Sequence, residues 1–239
     1  MSNQKVAAPC LVIFCKRPAL SQGKQRLAKT IGAKQALIFS QAFLDCALED
    51  ARAWRGSGHR NGYGPVVLSP SLPDDRDWAS KLLDQDTLVL VQPEGRLGHR
   101  LQAIDQELRT HGHDKIIFLG TDVPMLKPHH FNAAAQALLS RDIVLSPALD
   151  GGVTLMGARL PWPDLTALPW SSDQLGQALE KQCRDNELTV ENIATSYDID
   201  VEADLIKLQG DLVDDPRPAR KFLYRLVSDF MARDKVNYG

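Results

Sequence analysis

The sequence predicts one α/β domain of three layers, with a mostly parallel central sheet, helices on both faces and one antiparallel strand. Three observations predict it. Short apolar runs recur at Cys10–Cys15, Val66–Leu68, Thr87–Val91, Ile116–Leu119 and Ile143–Leu145, and an unbroken apolar run marks a strand buried on both faces. Longer amphipathic stretches alternate with these runs, the rhythm of strand–helix–strand units. One further run, Val153–Ala158, follows its predecessor after only a Gly-Gly break. That connection is too short for a parallel crossover, so this strand is predicted to be antiparallel.

The elements follow in order. After the first strand, Lys16 to Leu27 reads as a loop, interrupted by Pro18 and Gly23. From Ala33 to Ala51 a 100° step gathers Ala36, Leu37, Phe39, Phe43, Leu44, Ala47 and Leu48 on one face, with Lys34, Gln41, Asp45 and Glu49 opposite. Gly56 to Gly64 carries four glycines in nine residues and reads as a surface loop. Further helices are predicted over Asp75–Leu83, Leu97–Thr110, Pro128–Leu139, Asp173–Asn186 and Val201–Leu208. Pro128 suits a first helical turn, where its missing N–H leaves nothing unpaired. After Gly210, the stretch Asp214-Asp215-Pro216-Arg217-Pro218 breaks the chain. A last amphipathic helix, about Ala219 to Arg233, follows with Phe222, Leu223, Leu226, Val227 and Phe230 on its apolar face. Residues 1–210 are therefore expected to form the domain and 211–239 a C-terminal helical extension. That helix reads as a packed extension or a homodimer contact rather than a membrane anchor.

Composition excludes several classes. A chain of 239 residues, 44% hydrophobic and with a formal net charge of −2, can bury a large core without metal or disulfide staples and is not generally disordered. Near-neutral charge argues against nucleic acid as a partner. No apolar run approaches the roughly 18 residues of a membrane span, and Met1 to Pro9 lacks the basic start and apolar stretch of a signal peptide. Cys10, Cys15, Cys46 and Cys183 show no C-x-x-C spacing, which reads as reduced thiols in the cytoplasm.

In open parallel sheets ligands bind beyond the carboxyl ends of the strands, so the residues just past each apolar run carry the chemistry. Past the first run lie four cations, Lys16, Arg17, Lys24 and Arg26. A loop of this kind can present charge to a polyphosphate, or it can be a solvated basic loop. The spacing is neither a P-loop nor a dinucleotide-binding fingerprint. Past Ile116–Leu119 comes Gly120-Thr121-Asp122-Val123-Pro124, with an aspartate well placed to bind a divalent cation; a turn role is the alternative. Past Ile143–Pro147 comes Asp150-Gly151-Gly152, whose glycines permit a tight reversal and a close approach of ligand to backbone. Asp198 and Asp200 share a side of an extended segment, so either completes a metal site with Asp122, while Asp200 equally suits the N-cap of the next helix. Trp170, beside Ser171, reads as an aromatic wall for a substrate or as a loop anchor. His111/His113 and His129/His130 lie at helix ends without cysteine neighbours, which argues against structural zinc. There is no nucleophile elbow of the hydrolase kind.

Taken in order, these segments resemble a bacterial family of radical-SAM/selenodomain-associated transferases with the glycosyltransferase-A, or nucleotide-diphospho-sugar transferase, fold. The family opening A-K-x-P-x-x-G-x-x-K-T-R-L-A is similar to Cys15-Lys16-Arg17-Pro18 followed by Lys24-Gln25-Arg26-Leu27-Ala28. G-S-D-C-P corresponds to Gly120–Pro124, E-D-G-G-Y-Y-L-I-G to Asp150–Gly157, P-W-S-T to Pro169–Ser172 and D-x-D-T-x-x-D-L to Asp198–Leu205. Val153-Thr154 replaces the family's aromatic pair and Gln25 its threonine. The Lys-x-Arg-Leu element also looks like that of phospholactate guanylyltransferases.

The resemblance implies an enzyme that binds a nucleoside triphosphate and transfers its nucleotidyl group to a small phosphorylated or hydroxylated acceptor. Two alternatives stand beside it: a glycosyltransferase using a nucleotide-sugar donor, and a non-catalytic nucleotide-binding protein. It further implies Mg²⁺ or Mn²⁺ on Asp122 and Asp200, with Lys24, Arg26 and Asp122 as catalytic residues. Lys16, Arg17, Lys24 and Arg26 would meet phosphates, and Asp150, Gly151, Gly152, Trp170 and Ser171 the acceptor.

Overall fold

The computed structural model describes residues 8–56, 64–84 and 87–237, residues 234–237 by their backbone alone. Most of the glycine-rich loop expected over Gly56–Gly64 lies outside these residues. The described chain divides into two compact units, each assembled from separate stretches of sequence. The first comprises residues up to Arg17, Asp50–Gly120 and Lys127–Tyr197; the second comprises Pro18–Glu49, Thr121–Leu126 and the chain from Asp198 onward.

The first unit holds the whole sheet. Its strands are β1 (Cys10–Cys15), β2 (Val66–Pro70), β3 (Leu88–Val89), β4 (Ile116–Leu119), β5 (Ile143–Pro147), β6 (Val153–Ala158) and β7 (Val190–Asn192). Their order is β3-β2-β1-β4-β6-β5-β7. All neighbours pair in parallel except β6, which runs antiparallel to both β4 and β5. The expected reversal at Val153–Ala158 is therefore present, as the Gly-Gly connection requires.

The apolar runs are unbroken because both sheet faces are covered. On one face Cys10, Val12, Ile116, Phe118 and Met156 join Leu101, Ile104 and Leu108 of α4 (Leu97–Thr110) and Leu175, Leu179 and Cys183 of α6 (Leu175–Asp185). The alternating residues Leu11, Ile13, Ile117 and Val144 are fully buried on the other face, where α5 (Pro128–Ala137) packs on β5. Helices on both faces give this unit its three layers.

Several boundaries differ from the sequence reading. The helix expected over Asp75–Leu83 is a 3-10 turn at Pro73–Asp75 followed by α3 (Arg76–Ala79). The strand expected over Thr87–Val91 keeps only Leu88 and Val89 in the ladder. Strand β7 has no apolar run of its own, with only half-buried or exposed residues, and so left no periodic signal.

The second unit is helical: α1 (Gln25–Ile31), the N-terminal part of α2 (Ala33–Gly56), α7 (Glu202–Leu212) and α8 (Pro218–Asn237). Helix α1 takes in Gln25–Leu27, the end of the stretch expected to be loop, because the chain turns into helix directly after Lys24. In its core the rings of Phe39 and Phe43 stack at 6.1 Å, and Phe230 meets Phe39 edge-on at 5.8 Å. The C-terminal helix thus packs within its own chain. No helix among the described residues is long and apolar enough to cross a membrane.

Candidate functional site

Four of the predicted site residues converge in the second unit. The backbone from Ser21 to Lys24 turns through left-handed conformations at Ser21 (φ 59°), Gly23 (φ 68°) and Lys24 (φ 42°). Such a conformation costs a side-chain-bearing residue about 1–2 kcal/mol, and here it precedes α1 directly. The Lys24 side chain, 12% exposed, brings its Nζ to Asp122 Oδ2 at 2.9 Å, Asp200 Oδ1 at 3.2 Å and the Ile199 carbonyl at 2.6 Å. Arg26 Nη1 reaches the other oxygen of Asp200, Oδ2, at 3.2 Å. Burial alone would lower the Lys24 pKa, but Asp122 and Asp200 together outweigh it and hold the ammonium above the ordinary lysine value.

Three carboxylates meet here. Asp122, Asp198 and Asp200 each offer an oxygen, and these oxygens lie within 4.8 Å of one another. The sequence offered Asp198 or Asp200 as partner to Asp122; the fold brings both. It also resolves the competing role of Asp200. The helix cap is supplied by Asp204, whose Oδ2 accepts from the amides of Asp200 and Val201 at 2.8 Å each. This leaves the Asp200 carboxylate with Lys24 and Arg26. The segment bearing Asp122 is tied to its partner strand of chain by the Ile199 amide, which donates to the Asp122 carbonyl at 3.0 Å.

An all-carboxylate donor set of this size suits a hard divalent cation such as Mg²⁺ or Mn²⁺. The Asp122 and Asp200 side chains are 38% and 37% exposed, which leaves room for phosphate oxygens or water to complete a coordination shell. No local spacing could have revealed the Lys24 bridge, since its partners lie 98 and 176 residues away in sequence.

The remaining predicted residues belong to the first unit. Lys16 and Arg17 are exposed just past β1, with Arg17 Nη1 3.9 Å from Asp75. Asp150 Oδ1 accepts from the Gly152 amide at 3.0 Å. Gly151 (φ 89°) lies so close to Asp173 that an added Cβ would come within 1.9 Å of that residue's carbonyl oxygen, so glycine is required by space as well as by conformation. Trp170 packs against the apolar core and its Nε1 donates to the Leu165 carbonyl at 2.7 Å, which makes it an anchor of its own loop. Ser171 follows with a φ of 66°.

Sequence reasoning passed over two arginines, Arg217 and Arg220. Arg220 is fully buried and donates to the Pro124 carbonyl, while Arg217 donates to that of Leu126. Their sequence signal was only a proline-rich break.

The fold is of the nucleotide-diphospho-sugar transferase type. A provisionally named nucleotide-diphospho-sugar transferase from Desulfovibrio desulfuricans G20 superposes with a TM-score of 0.81 over 94% of this chain and 95% of its own, at 19% identity. A cytidylyltransferase from Leptospira borgpetersenii is similar with a TM-score of 0.52 over 96% and 95%, at 12% identity. The bifunctional IspDF from Campylobacter jejuni is similar at 0.52, over 84% of this chain and 54% of its own, at 8% identity. Residues 59–172 match the family described as "Uncharacterized protein conserved in bacteria (DUF2064)". No curated protein matches the chain in sequence.

Proposed function

We propose that this protein is a metal-dependent nucleotidyltransferase that binds a nucleoside triphosphate and transfers its nucleotidyl group to a small acceptor. The observation that carries the reading is the convergence of Asp122, Asp198 and Asp200 with Lys24 and Arg26 in one unit. In such a transfer an acceptor oxygen bonds to the α-phosphorus, the bond from that phosphorus to the bridging oxygen breaks, and pyrophosphate leaves. The requirement on the protein is to position the triphosphate and to offset charge growing on the leaving group.

Asp122 and Asp200, with Asp198, are the residues that would hold Mg²⁺ or Mn²⁺, and the ion would neutralise phosphate charge. Lys24 has a double part. With no divalent ion present, its ammonium compensates the carboxylates. A divalent ion held by Asp122 and Asp200 would offset the same negative charge and so weaken the hold of these carboxylates on the ammonium. Once released, the charge on its flexible stem is a donor for phosphate oxygens. Arg26, whose side chain is 68% exposed, is the second such donor and needs no rearrangement to face solvent.

Transfer of a sugar from a nucleotide sugar is the second reading, supported by the provisional name of the Desulfovibrio protein. A thermal-shift panel of the four nucleoside triphosphates and common nucleotide sugars, with and without Mg²⁺ or Mn²⁺, separates the two. A ligand at about 100 times its Kd stabilises by roughly 2.7 kcal/mol, and each kcal/mol raises the Tm of a chain this size by about 2–4 °C. A metal-dependent shift with a triphosphate is the expected result. A shift with nucleotide sugars alone would move the assignment to glycosyl transfer, and a shift with none would remove the nucleotide from the account.

A further inference from the structure

The segment that carries Asp122, Thr121–Leu126, contains neither strand nor helix. Its backbone is held from two sides. On one, the Ile199 amide donates to the Asp122 carbonyl. On the other stand two guanidinium groups from the start of α8 and the turn before it. Arg220 Nε donates to the Pro124 carbonyl at 3.1 Å, and Arg217 Nη2 to the Leu126 carbonyl at 2.8 Å.

Each guanidinium is fixed in turn. Arg220 is fully buried, bonds the Cys46 carbonyl on α2 and pairs with Glu49 Oε2 at 3.0 Å, while Glu49 Oε1 accepts from the Ala219 amide at 3.0 Å. Arg217 is gripped by Asp215, with Nη2 to Oδ2 at 2.7 Å and Nε to Oδ1 at 2.9 Å. Burial works against the Asp215 charge, but the hydrogen bonds from Arg217 prevail and hold its pKa below the ordinary carboxylate value. A buried ion pair is a costly way to gain stability, since apolar residues of similar volume often serve as well. What a guanidinium adds here is a rigid fork of donors aimed at backbone carbonyls.

We propose that Arg217 and Arg220 are positioning residues. They fix the Thr121–Leu126 backbone so that the Asp122 carboxylate meets those of Asp198 and Asp200, and through them the C-terminal segment becomes part of the cation site. The functional half of this inference rests on the metal reading above. Groups that orient a metal ligand without touching the metal typically govern its affinity by about 10–100-fold.

The test measures Mn²⁺ affinity by electron paramagnetic resonance and backbone amide exchange of residues 121–126 by mass spectrometry. It compares the full-length wild type with Arg220→Met, Arg217→Met, Arg220→Lys and Glu49→Gln. Both methionine variants should bind Mn²⁺ about 10–100-fold more weakly and exchange the 121–126 amides faster. Arg220→Lys, which keeps the charge but replaces the planar fork by a single ammonium, should recover part of the loss. Glu49→Gln removes the charge of the pair but keeps a side-chain oxygen that can accept from Arg220, so the guanidinium stays aimed at the Pro124 carbonyl; it should lower Tm yet keep Mn²⁺ affinity within about twofold of wild type. Should Arg220→Met fail to fold, Arg217→Met, at a 15% exposed side chain, decides the matter alone. Wild-type Mn²⁺ affinity in both methionine variants, or an equal loss in Glu49→Gln, overturns the proposal. If the wild type binds no Mn²⁺, the metal reading falls, and exchange alone judges the positioning claim: unchanged rates at 121–126 refute it.

Discussion

Lys24 is the residue on which the account of the site turns. Its ammonium touches Asp122, Asp200 and the Ile199 carbonyl, so on the proposed reading its charge competes with a divalent cation for the same carboxylates. Replacing it by methionine removes that charge and, on the proposed reading, a phosphate donor as well. Lys24→Met should therefore raise Mn²⁺ affinity and lower nucleoside triphosphate affinity, each by about fivefold if each contact is worth about 1 kcal/mol. Calorimetric titration of both ligands reads the two shifts, and a fall in both affinities would contradict the competition. This role was not legible in the sequence, where Lys24 was one of four cations in a loop. Asp122 stood out in the sequence as an aspartate just past a buried strand, with a turn role as the alternative, and the fold sets its carboxylate beside those of Asp198 and Asp200. Asp200 was ambiguous until Asp204 proved to cap the helix.

At the level of elements, strand β7 shows how tertiary bonds replace a missing local signal. It is three residues long and lies at the sheet edge. Its attachment is reinforced by Asp142, just before β5: Oδ2 accepts from the amide and hydroxyl of Thr189, and Oδ1 accepts from Arg159 Nη2 at 2.6 Å. Thr189 first, then Arg159, hold the Asp142 pKa below the ordinary carboxylate value. A lowered folded pKa contributes stability that is present above the unfolded value of about 3.9 and is lost as pH falls through the folded one. Asp142→Ala should therefore cost on the order of 2 kcal/mol at pH 7. That deficit against wild type should shrink as pH is lowered below about 4, measured by urea unfolding at several pH values. A deficit that stays constant down to pH 2 would show that the carboxylate charge is not what holds the edge. The same contrast explains what was legible among elements. Strands β1 and β4 and helix α4 carry unbroken or periodic apolar residues and their bounds were readable. Helix α1 and strand β7 depend on partners distant in sequence and were not.

At the scale of the whole molecule, the parallel sheet with its single reversed strand follows from apolar runs and one short connection. The assembly of two compact units from interleaved stretches does not follow from any local pattern. The thiols report on the integrity of the fold. All four cysteines are buried and none is in a disulfide. Burial pushes Cys10 up to about 12, and burial aided by a nearby carboxylate, Asp75 for Cys15 and Glu180 for Cys183, takes those two to about 12 as well. A thiol that far above its ordinary value is almost wholly un-ionised and unreactive near neutral pH. Native protein should therefore react with less than about one equivalent of a thiol reagent at pH 8, and with all four after unfolding; rapid native labelling would mean the core is open. The most direct test of the central claim is Mn²⁺ binding to wild type and Asp122→Ala, measured with and without the stabilising nucleoside triphosphate. The account predicts one Mn²⁺ site that tightens with the triphosphate, and loss of that site in the variant with a Tm change of no more than about 4 °C. Equal Mn²⁺ binding by both proteins, or no binding by wild type even with the triphosphate, would contradict it.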